Sequence, residues 1–341
     1  MIQVRYFNSF RAVAACLLLT PYMDYMAQQR AFALPHPLHA QAAAWVEAQR
    51  EHPCAIYFRE LIERGDYFGS HFYWLAAQLI PEPPFSWIND VAGLKRGLPD
   101  DAIFAELQIV ERFPALLSSF MADAKLAEFW QVTAAEWQTA REQVQMALAV
   151  GGVDDWQASF WGPATRELFL MPNPTEPPCF GFASSNRAQA FALVGPNQVP
   201  TNTADAEVAA KFDYRLSDNV LNLAVHELGH SLFDQARPAF DGLVGELQAT
   251  GFRLELRGWF PEMYPELPIQ LEEIILNAVQ ATYLTECVSR QAGEAFVADK
   301  VRQFGVGILR PIYERIVTAR VGGKCVGAEG CVAIAREVVM K

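Results

Sequence analysis

The stretch His226-Glu227-Leu228-Gly229-His230 sits inside a run whose apolar positions recur with helical period. On a helix advancing about 100° per residue, His226 and His230 fall about 40° apart on one face, with Glu227 beside them. Val220, Leu221, Ala224, Val225, Leu228 and Leu232 then take the opposite side. An apolar stripe of that width must bury against other elements. This one helix, with an apolar back and an ionisable front, constrains the chain more than any other feature.

The rest of the chain can provide the covering core. Of 341 residues, 52% are hydrophobic and only 19% charged, against roughly 25% charged in an average globular domain. Two domains of ordinary size, or one large two-lobed domain, are expected, and disorder and long coiled coils are excluded. With 27 basic and 39 acidic side chains the net charge is -12, so no basic field exists to neutralise a phosphate backbone. Nucleic acid is not an expected partner. No apolar run approaches the about 18–20 residues that a membrane helix needs.

From about 38 to 150 the pattern is helical, with examples at 41–51, 54–64, 72–79 and 101–150 and an interruption at Pro81-Glu82-Pro83-Pro84. Gly151-Gly152 marks a change to short apolar runs, and 167–171 and 188–194 read as strands. Helices return at 219–236, 267–289 and 294–320. The expected fold class is α+β, predominantly α-helical. Its three expected regions are a helical N-terminal lobe over 1–150, a small β region over 151–216 and a helical region over 217–341 that carries the motif.

At the N-terminus, Arg5 and Arg11 lead into an apolar run at 12–19, with Ala31-Phe32-Ala33 downstream. The run reads either as the core of a signal peptide or, over 5–19, as the first amphipathic helix. The compartment is left open, with the cytoplasm preferred over export. Six cysteines are too few and scattered for a disulfide scaffold; only Cys325 and Cys331, bracketing a Gly-rich loop, are close, and they read either as a small ring in an exported protein or as two free thiols.

Two histidines at i and i+4 can reach one metal ion. Zinc accepts neutral imidazole nitrogens, and a catalytic zinc site keeps three protein ligands and one open position. Glu227, adjacent to it, would serve as the base that takes the proton of a zinc-bound water. Gln235-Ala236-Arg237 stands where a metzincin would carry its third His, so a downstream carboxylate must complete the set. Glu246, Glu272 and Glu273 are the candidates, and periodicity does not choose among them. His36, His39, His52 and His71 are expected as surface or core residues.

The segment Val225-His226-Glu227-Leu228-Gly229-His230-Ser231-Leu232-Phe233, followed by Glu273-Ile274-Ile275-Leu276-Asn277-Ala278, resembles a bacterial family of gluzincin-type HExxH zinc metallopeptidases classed as a domain of unknown function. His52-Pro53-Cys54-Ala55 with Phe58-Arg59-Glu60-Leu61, Phe191-Ala192-Leu193-Val194-Gly195-Pro196, and Arg310-Pro311-Ile312-Tyr313-Glu314 are similar to family segments in the same order. The resemblance spans nearly the whole chain.

It implies a gluzincin-like fold, with a small antiparallel sheet packed on the motif helix. One zinc ion per chain would be held by His226, His230 and Glu273, with Glu227 as the base. Asn277 departs from the family, which usually has Arg there. Residues 5–19 would belong to the folded domain. In gluzincin-like folds an antiparallel edge strand upstream of the metal helix binds the substrate backbone. Here 188–194 takes that place, making Ala190, Phe191, Ala192 and Leu193 the expected substrate-binding residues, with a buried strand as the alternative reading. A tetrahedral oxyanion also needs a donor, for which Tyr313 is preferred over Tyr283, with a core tyrosine as the alternative reading of either.

The expected function is zinc-dependent hydrolysis of peptide bonds, with a peptide or protein as substrate. The alternative is a non-catalytic, zinc-stabilised binding or scaffold protein that keeps the motif helix. A helical ligand-binding protein without metal is a third class, separated from both by metal content.

Overall fold

The computed structural model describes residues 1–22, 36–64, 69–88, 109–197, 213–215 and 217–340. The chain divides into two units, one of Ile2–Ala147 with Phe169–Val220, the other of Leu148–Leu168 with Leu221–Lys341 and Met1. The three regions expected from sequence thus regroup. Most of the β region joins the N-terminal helices, while the stretch just after Gly151-Gly152 goes with the C-terminal part.

In the first unit the helix Asn8–Leu17 is central: Ala12, Val13, Cys16 and Leu17 are fully buried. Its small residues let helices Pro37–Val46, Pro53–Glu63, Gly69–Ala77 and Ile109–Asp123 pack around it. The apolar run at 12–19 is therefore core, while Ala31-Phe32-Ala33 lies outside the described residues. His36 and His52 cap two of the surrounding helices. Each Nδ1 accepts a backbone N–H two residues on, from Leu38 at 3.0 Å and Cys54 at 3.1 Å. Pro37 and Pro53 follow at the first helical position, where a missing N–H costs nothing.

A four-stranded mixed sheet completes this unit. With β1 at Ile2–Val4, β2 at Glu167–Pro172, β3 at Gly181–Ser185 and β4 at Gln189–Val194, the strand order is β1-β2-β4-β3. β3 and β4 form an antiparallel hairpin with Ser185 opposite Ala190. Its loop is pinned by Asn186, whose Oδ1 accepts from Ala188 N and Gln189 N, both at 2.9 Å. Phe169, Met171, Phe191 and Leu193, at the two-residue period of one sheet face, join the helical core. Phe7 meets Phe169 and Phe191 edge-on, at 5.1 and 5.2 Å between ring centres.

Two expectations are corrected here. The sheet is mixed rather than antiparallel throughout. β4 is an inner strand, hydrogen-bonded to β2 on one side and β3 on the other. Ala190, Phe191, Ala192 and Leu193 are all buried, so no edge is free there for an extended peptide. The edge position implied by the resemblance is thus not found, and the apolar run of β4 is core on both faces.

The second unit is built around the helix Leu267–Tyr283. Leu271, Ile274, Ile275, Leu276, Ala278, Val279 and Ala281 are buried, and so are Glu273, Asn277, Gln280 and Thr282, so the helix is enclosed nearly all round with a polar strip on one side. Helices Arg237–Ala249, Arg290–Phe304, Leu309–Ala319 and Gly327–Val339 pack on it. The expected helix at 294–320 is broken by Gly305, in the left-handed region at φ 70°. The expected block at 101–150 is three helices, Ile109–Asp123, Leu126–Val132 and Ala134–Gly151, with 101–108 outside the described residues. Cys325 and Cys331 are free thiols: Cys325 Sγ donates to Phe160 O at 3.1 Å, and Cys331 is buried. No helix among the described residues is long and apolar enough to cross a membrane.

Candidate metal centre

The motif lies on the helix Ser217–Phe233. Its predicted apolar back is buried throughout, at Val220, Leu221, Ala224, Val225, Leu228 and Leu232. Gly229 packs against the Leu267–Tyr283 helix: a β-carbon there would stand 3.1 Å from Leu276 Cδ2. A glycine between the two histidines thus leaves room for the Leu276 side chain, one helical turn beyond Glu273.

The two histidine rings are 5.0 Å apart, nearly perpendicular. Glu273 lies against both, with Oε2 3.2 Å from His226 Nε2 and Oε1 3.5 Å from His230 Nε2. One donor atom from each of the three residues falls within 4.8 Å of the others. Donors on a tetrahedral ion with bonds of about 2.1 Å stand about 3.4 Å apart, so the trio has the chemistry and nearly the spacing of a His-His-Glu zinc set. The side chains of His226, His230 and Glu273 are 12%, 21% and 10% exposed, recessed yet reachable from solvent. Glu227, the next residue round the helix from His226, is buried.

Behind the trio runs a charged chain that sequence reasoning missed. His230 Nδ1 is 2.9 Å from Glu272 Oε1, and Glu272 Oε2 accepts from Arg237 Nη1 at 2.7 Å. Arg237 also donates to Asp234 at 2.9 Å, and Asp234 accepts from Arg166 at 3.0 Å. A carboxylate on Nδ1 fixes the ring and directs Nε2 toward the ligand position. Burial opposes the charge on His230, but hydrogen bonds to Glu272 and Glu273 outweigh it and hold its pKa well above the ordinary imidazole value. Burial likewise opposes ionisation of Glu273, yet the two imidazoles hold its carboxyl well below the usual carboxylate range. The sequence signal for this chain was an adjacent pair of glutamates within a helix, plus an Asp and an Arg one helical turn apart after the motif.

Of the three carboxylates left open by periodicity, the structure brings Glu273 to the histidines. Glu272 is engaged by His230 Nδ1 and Arg237. Glu246 pairs with Arg336 on the Arg237–Ala249 and Gly327–Val339 faces. Asn277 turns its Nδ2 back onto Glu273 O at 2.7 Å. Tyr313 is corrected: its hydroxyl is buried 2.7 Å from Thr285 Oγ1. Thr285 lies twelve residues beyond Glu273, about 18 Å along the helical path. Tyr283 bonds to Gly151 O at 3.3 Å, ten residues or about 15 Å from Glu273. Both are core tyrosines away from the trio. Comparison of the chain with family models, curated proteins and solved structures returns no match.

Proposed function

We propose that the chain is a zinc-dependent hydrolase, a metallopeptidase of the gluzincin type that cleaves peptide bonds. The observation that carries this reading is the His226–His230–Glu273 cluster, backed by Glu272 on His230 Nδ1. His226 Nε2, His230 Nε2 and a Glu273 oxygen would hold one zinc ion. When bound, zinc acts as a Lewis acid that acidifies water and polarises a carbonyl. Glu227, on the same helix face, accepts the proton of the attacking water and passes it to the leaving amine. Glu272 keeps the His230 ring in the tautomer that presents Nε2. The Gly229 contact holds the two ligand-bearing helices in register.

Metal analysis and peptide hydrolysis on a panel of variants test this. Zinc near one equivalent per chain is expected in the wild type, in Glu227→Gln and in Glu246→Ala, and its loss in His226→Ala and Glu273→Ala. Glu227→Gln should lower the hydrolysis rate by about 10²–10⁴-fold, the contribution of a general base. A metal-loaded Glu227→Gln variant as active as the wild type would defeat the mechanism. Zinc binding with no hydrolysis in any form would leave the metal a structural role.

A further inference from the structure

In the first unit the largely enclosed guanidinium of Arg11 has no ion-pair partner among the described residues. The Arg11 guanidinium carbon stands 4.1 Å from the ring centres of both Trp130 and Trp137 and 5.4 Å from that of Tyr6. Aromatic faces favour the charge but leave the in-plane N–H donors unsatisfied. Arg11 Nε is buried without a hydrogen-bond partner. The acid that acts on it, Glu82, does so from beyond ion-pair range and accepts from Asn8 Nδ2 at 2.6 Å. Burial pushes the guanidinium pKa down to about 9, with Tyr6 and Glu82 opposing.

Arg11 lines a cavity of about 10 Å³ together with Tyr6, Phe10, Trp137, Asn173 and Leu193. That is room for about one water-sized particle. Asn173, 2% exposed, is its second polar wall. The Asn173 Oδ1 accepts from both Thr175 N at 3.1 Å and Thr175 Oγ1 at 2.7 Å, which fixes the amide orientation. Its Nδ2 is thereby the leftover donor, and it too is buried without a partner. Tyr6 donates its hydroxyl to Trp137 O at 2.6 Å. The lining side chains therefore offer two unsatisfied N–H donors, one of them cationic, among apolar walls. A water there could accept from both and donate to the Tyr6 oxygen, but it would leave the guanidinium charge uncompensated. A particle that only accepts, and carries negative charge, matches the lining better.

We propose that this cavity binds one monatomic anion of chloride size, held by Arg11 Nε–H and Asn173 Nδ2–H against Phe10 and Leu193. Such an ion neutralises the guanidinium and joins the Asn8–Leu17 helix to the end of β2. The site belongs to the sheet-bearing unit and is independent of the proposed zinc chemistry.

Crystals of the whole protein grown in bromide, measured at the bromine absorption edge, should show an anomalous peak within hydrogen-bond distance of both nitrogens. In solution, chloride and bromide should raise the melting temperature saturably relative to gluconate at equal ionic strength. Asn173→Asp keeps the Oδ1 acceptor for Thr175 but places its own carboxylate opposite Arg11, so the halide response should fall at least tenfold in affinity. Arg11→Met should abolish it; if that chain does not fold, Asn173→Asp still decides. A water in place of the peak, halide peaks confined to other sites, or an unchanged halide response in Asn173→Asp would each overturn the proposal.

Discussion

Glu272 and Glu273 are adjacent in sequence, yet one faces the Nε2 atoms of both imidazoles and the other the Nδ1 of one. Removing Glu272 leaves every proposed ligand in place but frees the His230 ring to rotate. Glu272→Ala should therefore weaken zinc binding about 10–100-fold, the usual cost of losing such an outer partner, as measured by competition with a chelating dye. Glu272→Gln, which keeps an acceptor for Nδ1, should lose less; equal affinity in all three forms would place control of the ring elsewhere. Glu176, in the other unit, gives a pH prediction. Burial raises its pKa from 4.5 to about 7, partly opposed by the hydrogen bond donated by Tyr73. Unfolded, the carboxyl ionises near its ordinary value; folded, it stays neutral to about 7. Its contribution to stability is thus fully present below about pH 4.5 and lost as pH rises to about 7. Glu176→Gln should remove that slope and be the more stable form at pH 8, by about 3 kcal/mol at most. Urea unfolding at pH 4.5 and 8 measures it, and parallel pH profiles for the two proteins would contradict it. Neither role was legible in sequence, since Glu176 sits in a Pro-rich stretch with no periodicity and Glu272 differs from Glu273 only in which partner comes near.

At the scale of elements, the motif helix and the Leu267–Tyr283 helix approach through Gly229, with Leu276 opposite. Branched methyls at 229 must push the helices apart or force Leu276 off its rotamer. Gly229→Val should cost about 1–3 kcal/mol, the usual range for overpacking, and reduce zinc affinity as Glu273 withdraws. The double variant Gly229→Val/Leu276→Ala restores room and should recover part of both. Thermal melts and metal titration read this directly, and a Gly229→Val chain with wild-type melting and affinity would refute the close-approach account. The motif helix was legible because an apolar stripe of period 3.6 is a local property. Helix Val153–Trp161 was obscured by the glycine pair before it, although Gly152, at φ 59°, only starts the next helix. Strand β4 was legible as a strand but not as an inner one, because a short apolar run does not say what lies on either edge.

For the whole molecule, the division into two units predicts where metal removal is felt. His226, His230 and Glu273 all belong to the second unit, and a ligand that binds only the folded form stabilises what it binds. Chelation should raise amide exchange in the motif helix and in Leu267–Tyr283 and leave the Asn8–Leu17 helix unchanged. Uniform loss of protection across both units, or none in either, would contradict that assignment. The sequence by itself determined the i,i+4 histidine pair, the helix that carries it, the α-rich character and the small sheet, since each follows from short-range period and composition. Only the tertiary structure decided which glutamate meets the imidazoles, that Glu272 supports His230 from 42 residues away, that β4 is enclosed on both edges, and that Tyr313 bonds to Thr285. Those outcomes depend on which surfaces of distant elements meet, and no local period records that.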